Sequence, residues 1–249
     1  MDRLIKWCDE KITYLKKAGI TFKDGFPILP QEAYYTDIPL TIESFQFRNK
    51  IPENIRRQSL ICYFSKDERL IQRMYKIDEE LPILCEYGGI CGFDLSPAVT
   101  MLKPRQKFSL LASALFNCYV AVHGVKVLPN CRVGDLANMS VIRNIPPYTN
   151  IISGEIGCNR NGFKNYGLYQ LHIIMKSVAP PVMFIYGGIS NKDIKRICGG
   201  TPQDFVVFPS ARDKYYNHKK SRVIVWDGVS IRKTSLDDYL SDGGVHYGS

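Results

Sequence analysis

The sequence has no apolar run approaching the roughly 18 residues that a membrane-crossing helix needs. Its start, MDRLIKWCDEKITYLKK, alternates charged and apolar side chains where a secretory leader carries an apolar block. A soluble, unexported protein without a membrane partner is therefore expected. Also missing are a C-x-x-C pair, a tight Cys/His group and H-E-x-x-H, so no zinc centre is expected. There is no G-x-S-x-G, no G-x-G-x-x-G and no G-x-x-x-x-G-K-[ST], which leaves hydrolase, dinucleotide-binding and P-loop readings without support and no cofactor indicated. Histidine is scarce at four, and three of these look incidental: His123 just past one predicted helix, His172 inside another, His246 in the tail.

What is present is 249 residues, 45% hydrophobic, enough for one large α/β domain with a core that needs no staples. The eight cysteines (Cys8, Cys62, Cys85, Cys91, Cys118, Cys131, Cys158 and Cys198) are scattered, several inside apolar runs such as SLICYF and ALFNCYV. They read as small buried hydrophobes kept reduced, which points to the cytoplasm.

Along the chain, Leu4, Ile5, Trp7, Cys8, Ile12 and Leu15 mark an amphipathic first helix ending at Gly19. Residues 20–54 are proline-rich, a composition of loops and edge strands that predicts an irregular lead-in packed on the main domain. From Ser59 a regular alternation begins. SLICYF reads as a strand, and Ser65 with Glu68 as a capping box for a helix with face Leu70, Ile71, Met74, Ile77 and Leu81, ended by Pro82. GGICGFDLS is the second strand, followed by a helix over 105–122; VKVLPN is the third, followed by a short helix near 136–142. TNIISGEI is the fourth, with a helix over 166–178; VMFIYGG the fifth, with a helix over 191–197; DFVVFPS the sixth. RVIVW and VSIRK around Asp227-Gly228 predict a β-hairpin.

Apolar strands separated by helices predict an α/β fold of repeated βα units with a mainly parallel sheet. A barrel-like arrangement, TIM-like and complete or incomplete, is favoured over an open doubly wound sheet, with a C-terminal β-hairpin outside the core. The division is 1–54, a helix and irregular lead-in; 55–212, the α/β core; 213–249, a basic hairpin and tail.

In either architecture ligands bind where the strands' carboxyl ends meet their loops. Those ends hold Asp94 and Ser96; Asn130, Arg132 and Asp135; Glu155, Cys158 and Asn159; Tyr186, Gly187 and Gly188; and Ser210 and Arg212. Asp94 stands out, because a carboxylate inside an apolar strand costs several kcal/mol unless it has a partner, and Arg132 is a candidate partner. The expected catalytic residues are Asp94, Asp135 and Glu155, with Ser96, Asn130, Arg132, Tyr186, Gly187 and Gly188 binding substrate. The formal charge of +9 concentrates late: Arg212, Lys214, Lys219, Lys220, Arg222, Arg232 and Lys233 face only Asp213 and Asp227. With Tyr215, Tyr216 and His218 interleaved, Lys214, Lys219, Lys220 and Arg222 are candidates for DNA or RNA contact.

The segments GGICGFDLSP, GVKVLPNCRVGD, NIPPYTNIISGEIGC and VMFIYGG, in that order, resemble a family of phage, plasmid and bacterial proteins catalogued as domain of unknown function 4417, over roughly Ile51 to Ser190. Asp94 and Ser96 match its Pro-Asp-Phe-Ser motif without the proline, and Pro129 to Asp135 match its Pro-Asn-x-Arg-Trp-Gly-Asp with Val133 in place of tryptophan. The resemblance implies a phage or mobile-element protein of the bacterial cytoplasm and gives no activity. Three functions follow as expectations. One is an enzyme acting on nucleic acid or nucleoside glycosidic bonds with a carboxylate-based site. The second is a non-catalytic nucleic-acid-binding protein using the basic segment. The third is a factor that binds a host protein and blocks a defence system.

Overall fold

The computed structural model describes residues 2–154 and 164–242. Helix α1 (Asp2–Lys17) buries Leu4, Trp7, Cys8 and Leu15 against α4 (Lys103–Val122). The lead-in holds a small hairpin, β1 (Phe22–Lys23) and β2 (Phe26–Pro27), turned by Asp24 and Gly25, both at positive φ as a two-residue turn requires. It then supplies β3 (Thr41–Ser44), which pairs parallel with β4 (Ser59–Cys62) along its whole length. The prolines around it hide this strand in the sequence.

After β4 come α2 (Asp67–Tyr75) and α3 (Ile77–Leu84), β5 (Gly89–Cys91), α4, β6 (Val127–Leu128) and β7 (Ile151–Ser153). Then follow α5 (Lys164–Val178), β8 (Val182–Tyr186), α6 (Asn191–Cys198), β9 (Gln203–Phe208), α7 (Ala211–Tyr216), β10 (Arg222–Trp226), β11 (Ile231–Ser235) and α8 (Leu236–Ser241). Several sequence expectations are corrected. The Ser65–Glu68 capping box does not form: α2 starts after Lys66 without a side-chain cap, and the expected single helix breaks at Lys76 into two, with Pro82 inside the second. The helix near 136–142 is instead a pair of 3-10 turns, Leu136–Asn138 and Ile142–Asn144.

The strands form a four-stranded parallel sheet, β3-β4-β5-β6, and a five-stranded mixed sheet, β7-β8-β9-β10-β11, each in chain order. A single parallel bridge, Asn130 to Ile152, joins them: the Ile152 N–H donates to Pro129 O (2.8 Å) and the Cys131 N–H to Ile152 O (3.0 Å). Among the described residues no strand ladder runs from β3 to the second sheet, so the pairing does not close a ring. The expected hairpin forms, but not outside the core. All five residues of β10 pair antiparallel with β9, because Val223, Ile224 and Trp226 need burial. Its turn runs over Asp227–Ser230, where the Asp227 carboxylate accepts the Val229 and Ser230 N–H groups.

Strand residues alternate between clusters, as a period of two dictates. Ile61, Ile90 and Val127 pack with α1 to α4; Ile151, Met183, Ile185, Phe205 and Val207 pack with α5 and α6. Their neighbours Leu60, Cys62, Cys91, Leu128, Ile152, Phe184, Val206 and Val223 share a third cluster drawn from both sheets. This is why the strands read as continuous apolar runs: both faces are covered. The seven cysteines among the described residues are free thiols, buried except for Cys85. Among those residues no helix is long and apolar enough to cross a membrane.

Candidate functional site

At Gly92 the chain leaves the β5 ladder. A side chain there would put its Cβ 2.7 Å from the Asn130 backbone nitrogen, so only glycine lets the two segments approach this closely. Beyond it, flanking helices hold the extended backbone by their side chains. The Phe93 N–H donates to Asn117 Oδ1 (2.9 Å), Leu95 N–H to Ser113 Oγ (3.1 Å) and Ser96 N–H to Asp67 Oδ1 (3.1 Å). Phe93 and Leu95 join the cluster that packs with α4, while Asp94 lies between them in sequence and outside that cluster. The neighbouring segment behaves alike: Cys131 and Val133 pack into the cluster with α5 and α6, while Asn130 and Arg132 alternate with them. A core strand ends in polar residues here because alternation presents them together.

Asp94 is buried, and each oxygen has its own donor: Asn130 Nδ2 to Oδ1 (2.8 Å) and Arg132 Nη1 to Oδ2 (2.8 Å). Arg132 keeps 37% of its side chain exposed. Burial pushes the Asp94 carboxyl above its ordinary range. The Arg132 charge and the Asn130 hydrogen bond pull the other way and do not overcome it. The outcome is an acid that takes up and releases a proton closer to neutrality than a solvated one.

The other expected residues divide. Asp135 is a cap: its Oδ1 accepts the Ala137 N–H (2.8 Å), and its own N–H donates to Gln106 Oε1 (2.9 Å). Buried Gln106 also accepts from Asn138 Nδ2 (3.0 Å) and donates to Met101 O (2.9 Å), so the Val133-Gly134-Asp135 turn is clamped to α4. A helix-initiating carboxylate already used this way is no evident proton shuttle. Ser96 is half-buried beside Asp67. Tyr186 is buried, its ring 5.6 Å from that of Phe64 and its hydroxyl accepting the Ala211 N–H (3.0 Å). Beside it, burial pushes the Cys62 thiol up to about 12, which leaves it protonated and inert. Gly187 needs its positive φ of 108° and donates to Phe208 O, whereas a side chain at Gly188 would meet nothing. Glu155, with Cys158 and Asn159, lies outside the described residues.

The basic candidates are also partly used up. Lys214 Nζ pairs with Glu43 Oε2 (2.9 Å) and donates to Thr41 Oγ1 (3.2 Å), and Lys219 Nζ pairs with Asp213 Oδ1 (2.7 Å). Lys220 is exposed and Arg222 half-buried in β10. Glu43, 1% exposed on β3, also accepts the Tyr215 hydroxyl (2.5 Å). It escaped notice in the sequence because TIES, with serine after the acid, lacks the apolar flanks that make Asp94 conspicuous in CGFDLS.

A cavity of about 100 Å³ lies between α4, the β1–β2 hairpin and the 142–144 turn, with Asp94, Asn130 and Arg132 among its lining. Asn144, also on the lining, has a buried Oδ1 with no hydrogen-bond partner among the described residues. Among those residues no cluster of His, Cys, Asp and Glu is placed to hold a metal ion. No family model, curated protein or solved structure matches this chain.

Proposed function

We propose that the protein is an enzyme acting on a nucleoside, or on a base of a nucleic acid, with Asp94 as its acid/base group. One observation carries this: a buried carboxyl, shifted toward neutrality, is gripped on both oxygens by Asn130 and Arg132 at the point where the ends of β5 and β6 meet the seam between the sheets. Asn130 and Arg132 orient the carboxyl, and the half-open guanidinium meets an anionic part of the substrate. We read the two sheets as one incompletely closed barrel. Chain-order strands, the Asn130–Ile152 bridge, the shared cluster and the Lys214–Glu43 pair support that reading. The resemblance to the phage and plasmid family supports a mobile-element setting. Incubation with a panel of ribo- and deoxynucleosides and oligonucleotides, with free base read by chromatography, tests the activity. Base release by the wild type that Asp94→Asn abolishes, with the fold retained by circular dichroism, is expected. No release, or release unchanged in Asp94→Asn, overturns the assignment.

A second reading rests on the edge strand β11, where Arg232 and Lys233 are exposed, as is Lys220 in the segment leading into β10. Such an edge suits a nucleic-acid backbone, and its binding to DNA or RNA weakens steeply with salt.

A further inference from the structure

The cavity beside Asp94 is too small for a whole nucleoside. Small-molecule sites run to about 300–1,000 Å³, and an apolar cavity of about 150 Å³ takes benzene. At about 100 Å³ and open on one side, this one has room within it for no more than a single six-membered ring with one edge projecting. Its walls are largely apolar, from Phe26 and Leu29 of the hairpin region, Leu110 and Ala114 of α4, and Ile142 and Ile145 of the turn. Asn144 also lines it, and its Oδ1, turned out of the open space, is a buried acceptor without a donor among the described residues. An orphaned buried acceptor carries a desolvation penalty that a ligand relieves by bringing its own N–H or O–H group. Size and polarity thus select the same ligand: one ring, apolar on its faces, with a hydrogen-bond donor on its edge.

We infer that this cavity is a specificity pocket for a single donor-bearing six-membered ring, of the pyrimidine class and not the purine class, with Asn144 as the residue that reads the donor. The inference rests on the reading of Asp94 only for what the ring is attached to. The ring enters from the open side, its donor reaches Asn144 by a turn of that carboxamide, and the remainder of the molecule lies toward Asp94 and Arg132.

The test uses the full chain and four probes, phenol, toluene, uracil and adenine, each titrated while amide and methyl resonances of lining residues are followed by NMR. Phenol and uracil are expected to shift those resonances saturably. Toluene, equal in size to phenol but lacking the donor, should bind about tenfold more weakly, and adenine should not bind. Ala114→Leu fills the cavity and should abolish all binding. Asn144→Leu should keep toluene binding and lose the preference for phenol. Equal affinity for phenol and toluene overturns the role of Asn144, adenine binding as well as uracil overturns the one-ring limit, and absence of any saturable shift overturns the pocket. Failure of this inference is separable from failure of the catalytic reading. Phenol binding that survives in Asp94→Asn, in a protein that releases no base from any nucleoside, supports the pocket and overturns only the chemistry.

Discussion

Two carboxylates are buried in strands of the same sheet, or just beyond them, and their surroundings differ. Glu43 has three donors: Lys214, Tyr215 and the Ser44 N–H all point at it, and the first two tie it to α7. Asp94 has two side-chain donors and lines a cavity that Glu43 does not reach, while the cationic partners of the two acids are exposed to a like degree, 32% for Lys214 and 37% for Arg132. A buried acid away from the cavity makes a clasp. A buried acid that lines it has room beside it for a molecule to exchange its proton, which is what a working acid requires.

If that contrast is right, removing Glu43 harms the fold and removing Asp94 harms the chemistry. Glu43→Ala is expected to lower stability by about 3 kcal/mol, because it strands the Lys214 charge and the Tyr215 hydroxyl, as read by urea unfolding. Asp94→Ala should lose less, about 1–2 kcal/mol, since Asp94 lines a cavity from which water reaches the donors it leaves, yet should abolish base release. Equal stability losses in the two variants would erase the distinction.

The dependence on pH sharpens it. The folded state holds the Asp94 proton more tightly than the unfolded chain does. The group's contribution to stability is therefore complete below the ordinary value of 3.8 and lost as pH rises through the raised folded value. Asp193 runs the other way. Burial pushes it up, but the hydrogen bonds from Lys164 and Ser190 outweigh burial and hold it below 3.8, so its contribution is present above 3.8 and lost as pH falls through the lowered value. Unfolding measured across pH should show the difference between wild type and Asp94→Asn shrinking as pH rises, and that between wild type and Asp193→Asn shrinking as pH falls. Matching trends would mean that the environment of Asp94 is no different from that of an ordinary ion pair. The smallest effect belongs to the surface. Changing Lys219 and Lys220 to Gln should move stability by less than about 0.5 kcal/mol, while salt titrations against DNA and RNA report whether the basic edge binds either.

How legible this was in the sequence depended on whether local pattern and tertiary demand agreed. Asp94, Asn130 and Arg132 could be picked out because a polar residue within an apolar alternation is conspicuous, and their meeting followed from two adjacent strand ends. Asp135 carried the same appearance, but aspartate is also a good cap, and nothing local tells the two uses apart. Glu43 was hidden by prolines that obscured its strand; β10 was read as a strand, but the charges around it placed it outside the core despite the apolar Val223 and Ile224. The cavity could not be read at all. It is made by a hairpin, a helix and a turn, the first and last more than 100 residues apart in sequence, and volume is a property of their packing.

The clasp between Glu43 and Lys214 spans 171 residues, while most other strand neighbours are also neighbours in sequence. A chain emerging from the ribosome can therefore lay down its sheet strand by strand, each new one finding the last already in place. Glu43, like Thr41 and Phe47 beside it, must wait for α7. Until α7 arrives, the first strand carries a carboxylate with neither lysine nor tyrosine to receive it. α7 thus reaches back across the α/β run to hold β3, which only a chain extended past α7 can do.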